Sequence, residues 1–296
     1  MNHEKIHVPV LLDEILDMLR IRPDGVYLDG TVGLGGHSSE ILSRIPEGVL
    51  IGIDKDDDAL RHAAETLGDK RVFLRKGAFS NISEIVSSLG IKAVDGVLLD
   101  LGVSMLQLKA MERGFSFLSQ ERLDMRMDKT QDLSAWEVVN GYPEADLERV
   151  IREYGEEPFA RRIVREIVSQ RKKARIETCK ELADLIARVS RRRGKSHPAT
   201  LTFQALRIEV NGEMDELRKG LAAALDILSE GGRLCVISYH SLEDRIVKNF
   251  MREEARGGLI ELITKKPLPP SREEVRRNPA SRSAKLRVGE KRGARV

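Results

Sequence analysis

Short apolar runs alternate along this chain with stretches of helical periodicity. The runs that predict β-strands cover residues 26–29, 49–53, 71–75, 94–100 and 232–238. Because helical segments separate each run from the next, right-handed β-α-β crossovers and a parallel sheet are expected. Two further strand-like runs, 259–264 and 284–290, follow without a clear helix between them and predict an antiparallel hairpin at the sheet edge. The pattern predicts an α/β fold.

The fourth and fifth predicted strands are separated by about 130 residues with almost no strand signal. Helical patterns there cover residues 144–153, 156–171, 178–192 and 200–229, with glycines and prolines between and within them. This stretch is too long for one crossover and too periodic for a loop. The sequence therefore predicts a helical insertion domain, residues 105–211, within a sheet domain formed by residues 1–104 and 212–296.

A glycine-dense turn follows the first predicted strand, which ends at Asp29. Its glycines are Gly30, Gly33, Gly35 and Gly36, and His37 then opens a helical pattern. Such a turn builds a backbone cradle at the carboxyl end of a parallel sheet. The Asp29 carboxylate would repel the pyrophosphate of NAD but suits the sulfonium and ammonium groups of S-adenosylmethionine. Glycines also occupy turns for conformational reasons alone, because positive φ costs them little.

A second carboxylate, Asp54, ends the second predicted strand. This is about where a nucleotide-binding β-α-β unit places its ribose-binding residue. Capping of the next helix is the alternative role, and Asp56 is better placed for it. Asp54 would then be free to accept hydrogen bonds from the ribose hydroxyls.

Length and composition fit an enzyme of one α/β domain with an insertion. The chain has 296 residues, of which 41% are hydrophobic. No run is long enough for a membrane span and the N-terminus lacks a signal-peptide pattern, so a cytoplasmic location is expected. Cys179 and Cys235 lie far apart, and the histidines form no zinc motif, so neither a disulfide nor a metal site is expected.

Basic residues cluster in two regions, although the net charge is only +3. Residues 161–195 hold thirteen Lys or Arg against four Asp or Glu, and residues 272–296 hold nine against three. Such clusters are typical of nucleic-acid binding, whereas ion-pair networks of a heat-adapted protein explain the scattered helix charges. Arg191, Arg192 and Arg193 are the candidate RNA contacts.

Several phrases in fixed order carry a family resemblance. They cover residues 29–38, 99–104 (LDLGVS), 113–117 (RGFSF), 124–128 (DMRMD), 197–200 (HPAT), 203–208 (FQALRI), 237–245 (ISYHSLEDR) and 282–287 (RSAKLR). Over nearly its whole length the chain resembles the bacterial small-subunit ribosomal RNA cytosine-N4 methyltransferases, the RsmH (MraW) family. It departs at Leu201, Met105 and Tyr239, where arginine, serine and phenylalanine are usual.

The resemblance implies a Rossmann-like S-adenosylmethionine-dependent methyltransferase sheet with a helical insertion domain that recognises RNA. The implied reaction transfers a methyl group to the exocyclic amine of one cytidine in the decoding region of 16S ribosomal RNA, free or within the small subunit. The implied cofactor contacts are Gly35, Gly36, His37, Asp54, Phe79, Asp100 and Gln107, and Gly33 belongs to the same turn. Both a monomer and a homodimer are compatible with the sequence.

The residues agree with amine methylation. Methylation of pyrimidine carbon 5 usually needs a cysteine nucleophile, and Cys179 and Cys235 both lie in structural patterns. An exocyclic amine needs a hydrogen-bond acceptor and correct positioning. Asp100, at the end of the fourth predicted strand, is the first candidate acceptor, ahead of Ser104 or a loop carbonyl.

The sequence leaves two assignments open, the aromatic residue that stacks on the target base and the role of His240. The aromatic that stacks on the target base could be Phe115, Phe117 or Trp136. His240 is a candidate for proton relay or RNA phosphate contact; the alternative is a loop held by a capping box between Ser241 and Asp244.

Two other function classes compete with the methyltransferase. An RNA-binding ribosome assembly factor without catalysis would use the basic regions and keep the sheet as a scaffold, but the acids at successive strand ends disfavour it. An NAD-dependent oxidoreductase is disfavoured by Asp29 and by the lack of a strict Gly-x-Gly-x-x-Gly motif.

Overall fold

The computed structural model describes residues 9–104, 107, 110–190 and 197–293. The chain forms two compact units. The sheet unit comprises Met1–Gly102 and Met214–Val296, and the helical unit comprises Val103–Glu213. The insertion expected from the sequence covers residues 105–211.

The sheet unit contains a seven-stranded sheet in the order β3-β2-β1-β4-β5-β7-β6. Its strands are β1 Val26–Asp29, β2 Val49–Asp54, β3 Val72–Lys76, β4 Val94–Asp100, β5 Leu228–Ser238, β6 Ile260–Leu262 and β7 Lys285–Lys291. The first five are parallel, while β7 pairs antiparallel with both β5 and β6. The predicted Rossmann-like sheet with an edge hairpin is confirmed.

Helices cover both faces of this sheet. They are α1 Leu12–Leu19, α2 Gly36–Arg44, α3 Asp57–Leu67, α4 Ile82–Ser88, α10 Glu213–Ile227, α11 Ser241–Arg256 and α12 Arg272–Arg277. Successive strand residues enter opposite cores: Leu50 packs in one, and Ile51 in the other. The near-continuous apolar runs of the sequence follow from this burial on two faces.

The strand order places a crevice between β1 and β4. The chain moves from β1 outward to β2 and β3, then returns to β4 on the other side of β1. In open α/β sheets, ligands bind at the carboxyl ends of the strands at this reversal. Asp29 ends β1 and Asp100 ends β4, so both residues stand at the strand ends that border the crevice.

The helical unit has its own hydrophobic core. Its helices are α5 Ala135–Gly141, α6 Glu144–Gly155, α7 Ala160–Arg171, α8 Cys179–Val189 and α9 Thr200–Asn211. Helices α6 and α9 pack closely, since a Cβ atom at Gly155 would lie 2.7 Å from the carbonyl oxygen of Leu201. No helix among the described residues combines the length and apolar character needed to cross a membrane.

The helical pattern over residues 200–229 is broken at Gly212, as predicted; this glycine has φ of 60°. Two elements differ from the sequence prediction. Strand β5 begins at Leu228 rather than at residue 232: Leu228 pairs with Val94, and a register irregularity separates this pair from the pair of Arg233 with Gly96. Helix α12 lies between the two hairpin strands, where no clear helix was expected.

Candidate active site

The glycine turn after β1 is held by backbone hydrogen bonds to β2. The amide of Val32 donates to the carbonyl of Ile53, and the amide of Gly33 donates to Oδ2 of Asp54, each at 2.9 Å. Gly33 and Gly35 adopt φ of 51° and 82°. A side chain would be strained at both positions, so glycine lets the turn follow this path.

Asp29 lies behind the glycine turn. Its side chain is only 2% exposed, and it accepts hydrogen bonds from Ser38 Oγ at 2.7 Å and from the Thr31 amide at 3.1 Å. Burial raises the pKa of this carboxyl. Asp29 therefore ties β1 to α2. The sequence predicts a carboxylate that faces the cofactor, and the burial of Asp29 corrects that prediction.

Asp54 uses both carboxylate oxygens within the loop. Oδ2 accepts from Gly33 and Oδ1 accepts from the Asp56 amide, each at 2.9 Å. The sequence predicts a carboxylate with both oxygens free, and these two hydrogen bonds correct that prediction. Each oxygen still keeps a second lone pair for a ribose hydroxyl. Burial raises the pKa of Asp54 to about 6. Asp56 caps α3 through the Asp58 amide, as predicted.

Asp100 is held by contacts from three elements. Its amide donates to Thr31 Oγ1 at 2.7 Å, and its Oδ1 accepts from the Tyr239 hydroxyl at 2.8 Å. Oδ2 lies 3.9 Å from Nδ1 of His37. Burial raises the pKa of Asp100 to about 6, opposed by His37 and by the Tyr239 hydrogen bond.

His37 is oriented by the segment before α1. Its Nε2 lies 2.9 Å from the Val10 carbonyl oxygen, so Nε2 carries the proton and donates it. The other ring nitrogen, Nδ1, then faces Oδ2 of Asp100. A Cβ atom at Gly36 would lie 2.8 Å from Pro9, which explains why this neighbour is glycine.

His240 caps helix α11. Its Nδ1 accepts from the Glu243 amide, and Glu243 Oε2 in turn accepts from the amides of Tyr239 and His240. The capping box thus begins at His240, one residue before the predicted Ser241. Asp244 instead binds Arg287 at 2.7 Å. Nε2 of His240 lies 3.0 Å from Glu243 Oε1, so this geometry supports the loop-holding role.

Phe79 sits in a 3-10 turn after β3, Phe79–Asn81. A Cβ atom at Gly220 of α10 would lie 2.3 Å from its ring, so the ring packs directly on that helix. This contact accounts for an aromatic residue here without a ligand. Packing against an adenine face stays a prediction.

The remaining candidate residues belong to the helical unit. Gln107 Oε1 accepts from the Ser104 amide at 3.0 Å, and the Gln107 amide donates to Ser104 Oγ at 3.2 Å. Trp136 donates its indole N–H to Glu177, and the guanidinium groups of Arg122 and Arg175 lie 5.1 and 4.9 Å from its ring. Arg191, Arg192 and Arg193 lie outside the described residues.

Residues 4–292 match a protein-family model described as the MraW methylase family. The chain belongs to the MraW methylase family. Ribosomal RNA small subunit methyltransferase H of Persephonella marina is 54% identical over 290 residues, covering 96% of this chain and 99% of its own. The protein of the same name from Caldicellulosiruptor bescii is 50% identical over 303 residues, with coverage of 96% and 99%.

The crystal structure of a Streptococcus mutans protein described as a methyltransferase, in complex with SAH, is also similar to this chain. It is 13% identical, with a TM-score of 0.46, and the match covers 96% of this chain and 99% of that one. 

Membership of the MraW methylase family agrees with S-adenosylmethionine, the methyl donor that the sequence predicts. The residues at the crevice fit it: the left-handed glycines expose backbone amides, and Asp54 keeps lone pairs for hydroxyl donors. Burial raises the pKa values of Asp54 and Asp100, which means that their charged forms are only partly compensated within the folded chain. A cationic ligand beside them would restore that compensation.

Sequence reasoning missed two side chains that organise this site. The Thr31 hydroxyl receives the Asp100 amide, and the Tyr239 hydroxyl binds its carboxylate. One sequence signal for Tyr239 was its departure from the phenylalanine that the family resemblance leads us to expect.

Proposed function

We propose that this protein transfers the methyl group of S-adenosylmethionine to the N4 amine of one cytidine in the decoding region of 16S ribosomal RNA. Membership of the MraW methylase family supports the reaction class. The name of its relatives, ribosomal RNA small subunit methyltransferase H, supports the RNA. The reaction takes place in the cytoplasm, on free RNA or on the small subunit.

The observation that carries the choice of an amine is the pairing of an available carboxylate with the absence of an available thiol. Cys235 lies in the middle of β5 and Cys179 begins α8, and both are fully buried. Burial raises the pKa of each thiol to about 12, so neither supplies a thiolate for attack on a pyrimidine ring. Asp100, in contrast, stands at the crevice. Its Oδ1 accepts the hydrogen bond from Tyr239, and its Oδ2 does not take part in that bond.

When bound, S-adenosylmethionine supplies an electrophilic methyl group on a sulfonium, which leaves as a neutral thioether when the carbon–nitrogen bond forms. The amine must lose one proton in the same process. We assign this proton to Oδ2 of Asp100. Burial raises the pKa of Asp100, which favours a proton on this carboxyl, and the Tyr239 hydroxyl holds Oδ1, so Oδ2 is the oxygen left to accept it.

The helical unit is the proposed RNA-recognition unit, with Arg191, Arg192 and Arg193 as its predicted phosphate contacts. This assignment is supported by three further basic residues that are exposed on the same unit, Lys172, Lys173 and Arg175. The guanidinium group of Arg175 also lies over the Trp136 ring. Since two guanidinium groups already lie near that ring, Trp136 is better suited to order basic side chains than to stack on the target base.

Nucleoside analysis tests the proposed function. The protein is incubated with isotope-labelled S-adenosylmethionine and either protein-free 16S ribosomal RNA or small subunits, and the digested nucleosides are separated by mass. Label in N4-methylcytidine is expected. Label in 5-methylcytidine would overturn the choice of the amine, and RNA binding without any label would favour the assembly factor.

A further inference from the structure

A basic arm precedes the last strand of the sheet unit. It comprises residues 265–283 and contains α12 and the 3-10 turn Pro279–Ser283. Leu268 and Leu286 exchange backbone hydrogen bonds of 2.9 Å, which anchor the beginning of the arm to β7. The arm is therefore a built part of the fold.

The arm lies at the carboxyl edge of the sheet. Strand β7 runs antiparallel to β5, and its first residue, Lys285, pairs with Ser238, the last residue of β5. The chain segment that leads into Lys285 must therefore approach from the strand ends where Asp29, Asp54 and Asp100 stand.

A short chain of contacts joins the arm to the active site. Glu274 of α12 accepts the amide of Leu11 at 2.9 Å. The preceding residue, Val10, accepts from His37, whose other ring nitrogen faces Asp100. All these residues belong to the sheet unit, so the arm has a fixed position beside the site.

The arm carries an excess of exposed positive charge. Its exposed basic residues without an acidic partner in the described part of the chain are Lys265, Lys266, Arg272, Arg276 and Arg282. Of its two acids, Glu273 pairs with Arg277 and Glu274 faces Leu11. Asp13 and Glu14 of α1 lie near Glu274, and burial together with these two charges raises the pKa of Glu274. Among the described residues, no ion pair joins Asp13 or Glu14 to any of the five cations.

We propose that the basic arm binds the phosphodiester backbone of the RNA segment that enters the active site. This inference rests on the proposed function and adds a second RNA contact, on the sheet unit itself. Phosphate is the fitting ligand, because arginines bind it through paired N–H groups. The described exposed large hydrophobic residues, Met111, Leu118 and Leu259, lie outside the arm, which disfavours a protein or membrane partner.

The test replaces three arm arginines together: Arg272→Gln, Arg276→Gln and Arg282→Gln. The affinity of the full protein for a 16S ribosomal RNA fragment is measured across a salt series. We expect binding to weaken about tenfold or more at low salt and the log–log salt slope to fall by about 2, since each lost contact with single-stranded RNA removes about 0.7. Cofactor affinity, which reports folding, should not change.

A matched control removes the same charge elsewhere on the sheet unit. Arg44, Arg61 and Arg218 are exposed and already paired with Glu40, Asp58 and Asp215. Their replacement by Gln should leave the salt slope close to that of the wild type. An unchanged slope in the arm variant, or an equal change in the control, would overturn the arm as an RNA site.

Failure of the proposed function gives a different result. If the wild type binds RNA through the arm but transfers no methyl group to it, the arm stands and the methylation proposal fails. If the wild type methylates the RNA and the arm variant binds it with unchanged affinity and slope, only the arm is wrong.

Discussion

The hydroxyl of Tyr239 donates a hydrogen bond of 2.8 Å to Oδ1 of Asp100, although 139 residues separate them in sequence. Asp100 ends β4, and Tyr239 follows β5, its neighbour in the sheet. Burial, together with the Asp100 carboxylate, raises the pKa of Tyr239, so the phenol stays protonated and remains a donor. One oxygen of Asp100 is thereby fixed, and the other is directed toward His37.

Tyr239→Phe should slow methyl transfer about tenfold or more, because a hydrogen bond to a charged group contributes about 1.5 to 3 kcal/mol. Without this donor the pKa of Asp100 rises further, so the acid limb of the pH–rate profile should move to higher pH by about one unit or more. Cofactor affinity should stay within about twofold. The measurement is the single-turnover rate between pH 5 and 9.

Tyr142→Phe is the matched control. Its hydroxyl also binds a carboxylate, lying 2.9 Å from Glu209 Oε1, but it belongs to the helical unit. The control should keep the wild-type pH profile. If the profile of Tyr239→Phe also matches the wild type, the hydroxyl plays no part in setting the proton affinity of Asp100.

The sheet could be predicted from sequence because burial on two faces requires continuous apolar runs. Strands β1, β2 and β4 each consist of such a run that ends in an aspartate, and the carboxyl ends of parallel strands meet at one edge. Asp29, Asp54 and Asp100 were therefore found together. Which of their oxygens can still bind a ligand depends on hydrogen bonds from loop amides and hydroxyls. The hydrophobic pattern of the sequence contains no information about those bonds.

Local capping signals were available but ambiguous or overlooked. Ser134 and Glu137 form a capping box at α5, and the Ser-x-x-Glu spacing could have located that helix. At α11, His240–Glu243 and Ser241–Asp244 have the same spacing, and the longer glutamate reached back to two amides. The Tyr239–Asp100 bond lay beyond sequence reasoning, because it depends on the register between two strands.

Asp54→Ala should weaken cofactor binding by about 1.5 to 3 kcal/mol, or roughly 10- to 150-fold in Kd, because a ribose acceptor and the acceptor for the Gly33 amide are both lost. Calorimetric titration with S-adenosylmethionine measures this. Asp95→Ala is the control: Asp95 also accepts a backbone amide, that of Val26, but it lies at the amino end of β4. Equal affinities of Asp54→Ala and wild type would remove Asp54 from the site.

Gly35→Ala should lower both stability and cofactor affinity. Gly35 has φ of 82°, and a Cβ atom there would lie 3.3 Å from Leu67. Gly90 has φ of 73° with open space around it, so Gly90→Ala carries the same backbone cost of about 1 to 2 kcal/mol without touching the site. Only the first variant should change the Kd for S-adenosylmethionine. A similar Kd change in both would show that the effect is general strain.

Asp100→Asn should make the cofactor-free protein more stable at alkaline pH. The folded pKa of Asp100, about 6, lies above its ordinary value of 3.8, so the folded state holds a proton that the unfolded state has released. Its contribution to stability therefore falls as pH rises from about 4 to 6. Above that window the variant should exceed the wild type by up to about 3 kcal/mol, since one pKa unit corresponds to about 1.4 kcal/mol.

Chemical denaturation of both proteins at pH 4 and pH 8 measures this difference. The side-chain oxygen of an asparagine can still accept from Tyr239, so the substitution keeps that hydrogen bond. The gap should close at the lower pH, where the wild-type carboxyl is protonated. A constant gap at both values would mean that ionisation of Asp100 is not its cause.

The most direct test of Asp100 as the proton acceptor is single-turnover methyl transfer to 16S ribosomal RNA by Asp100→Asn, with S-adenosylmethionine and RNA both saturating. An amide cannot take the amine proton, so we expect a rate at least about 100-fold below that of the wild type, the usual contribution of a general base. The Kd for S-adenosylmethionine should change far less. A wild-type rate, or a loss confined to cofactor affinity, would contradict the assignment and leave Asp100 as a binding residue.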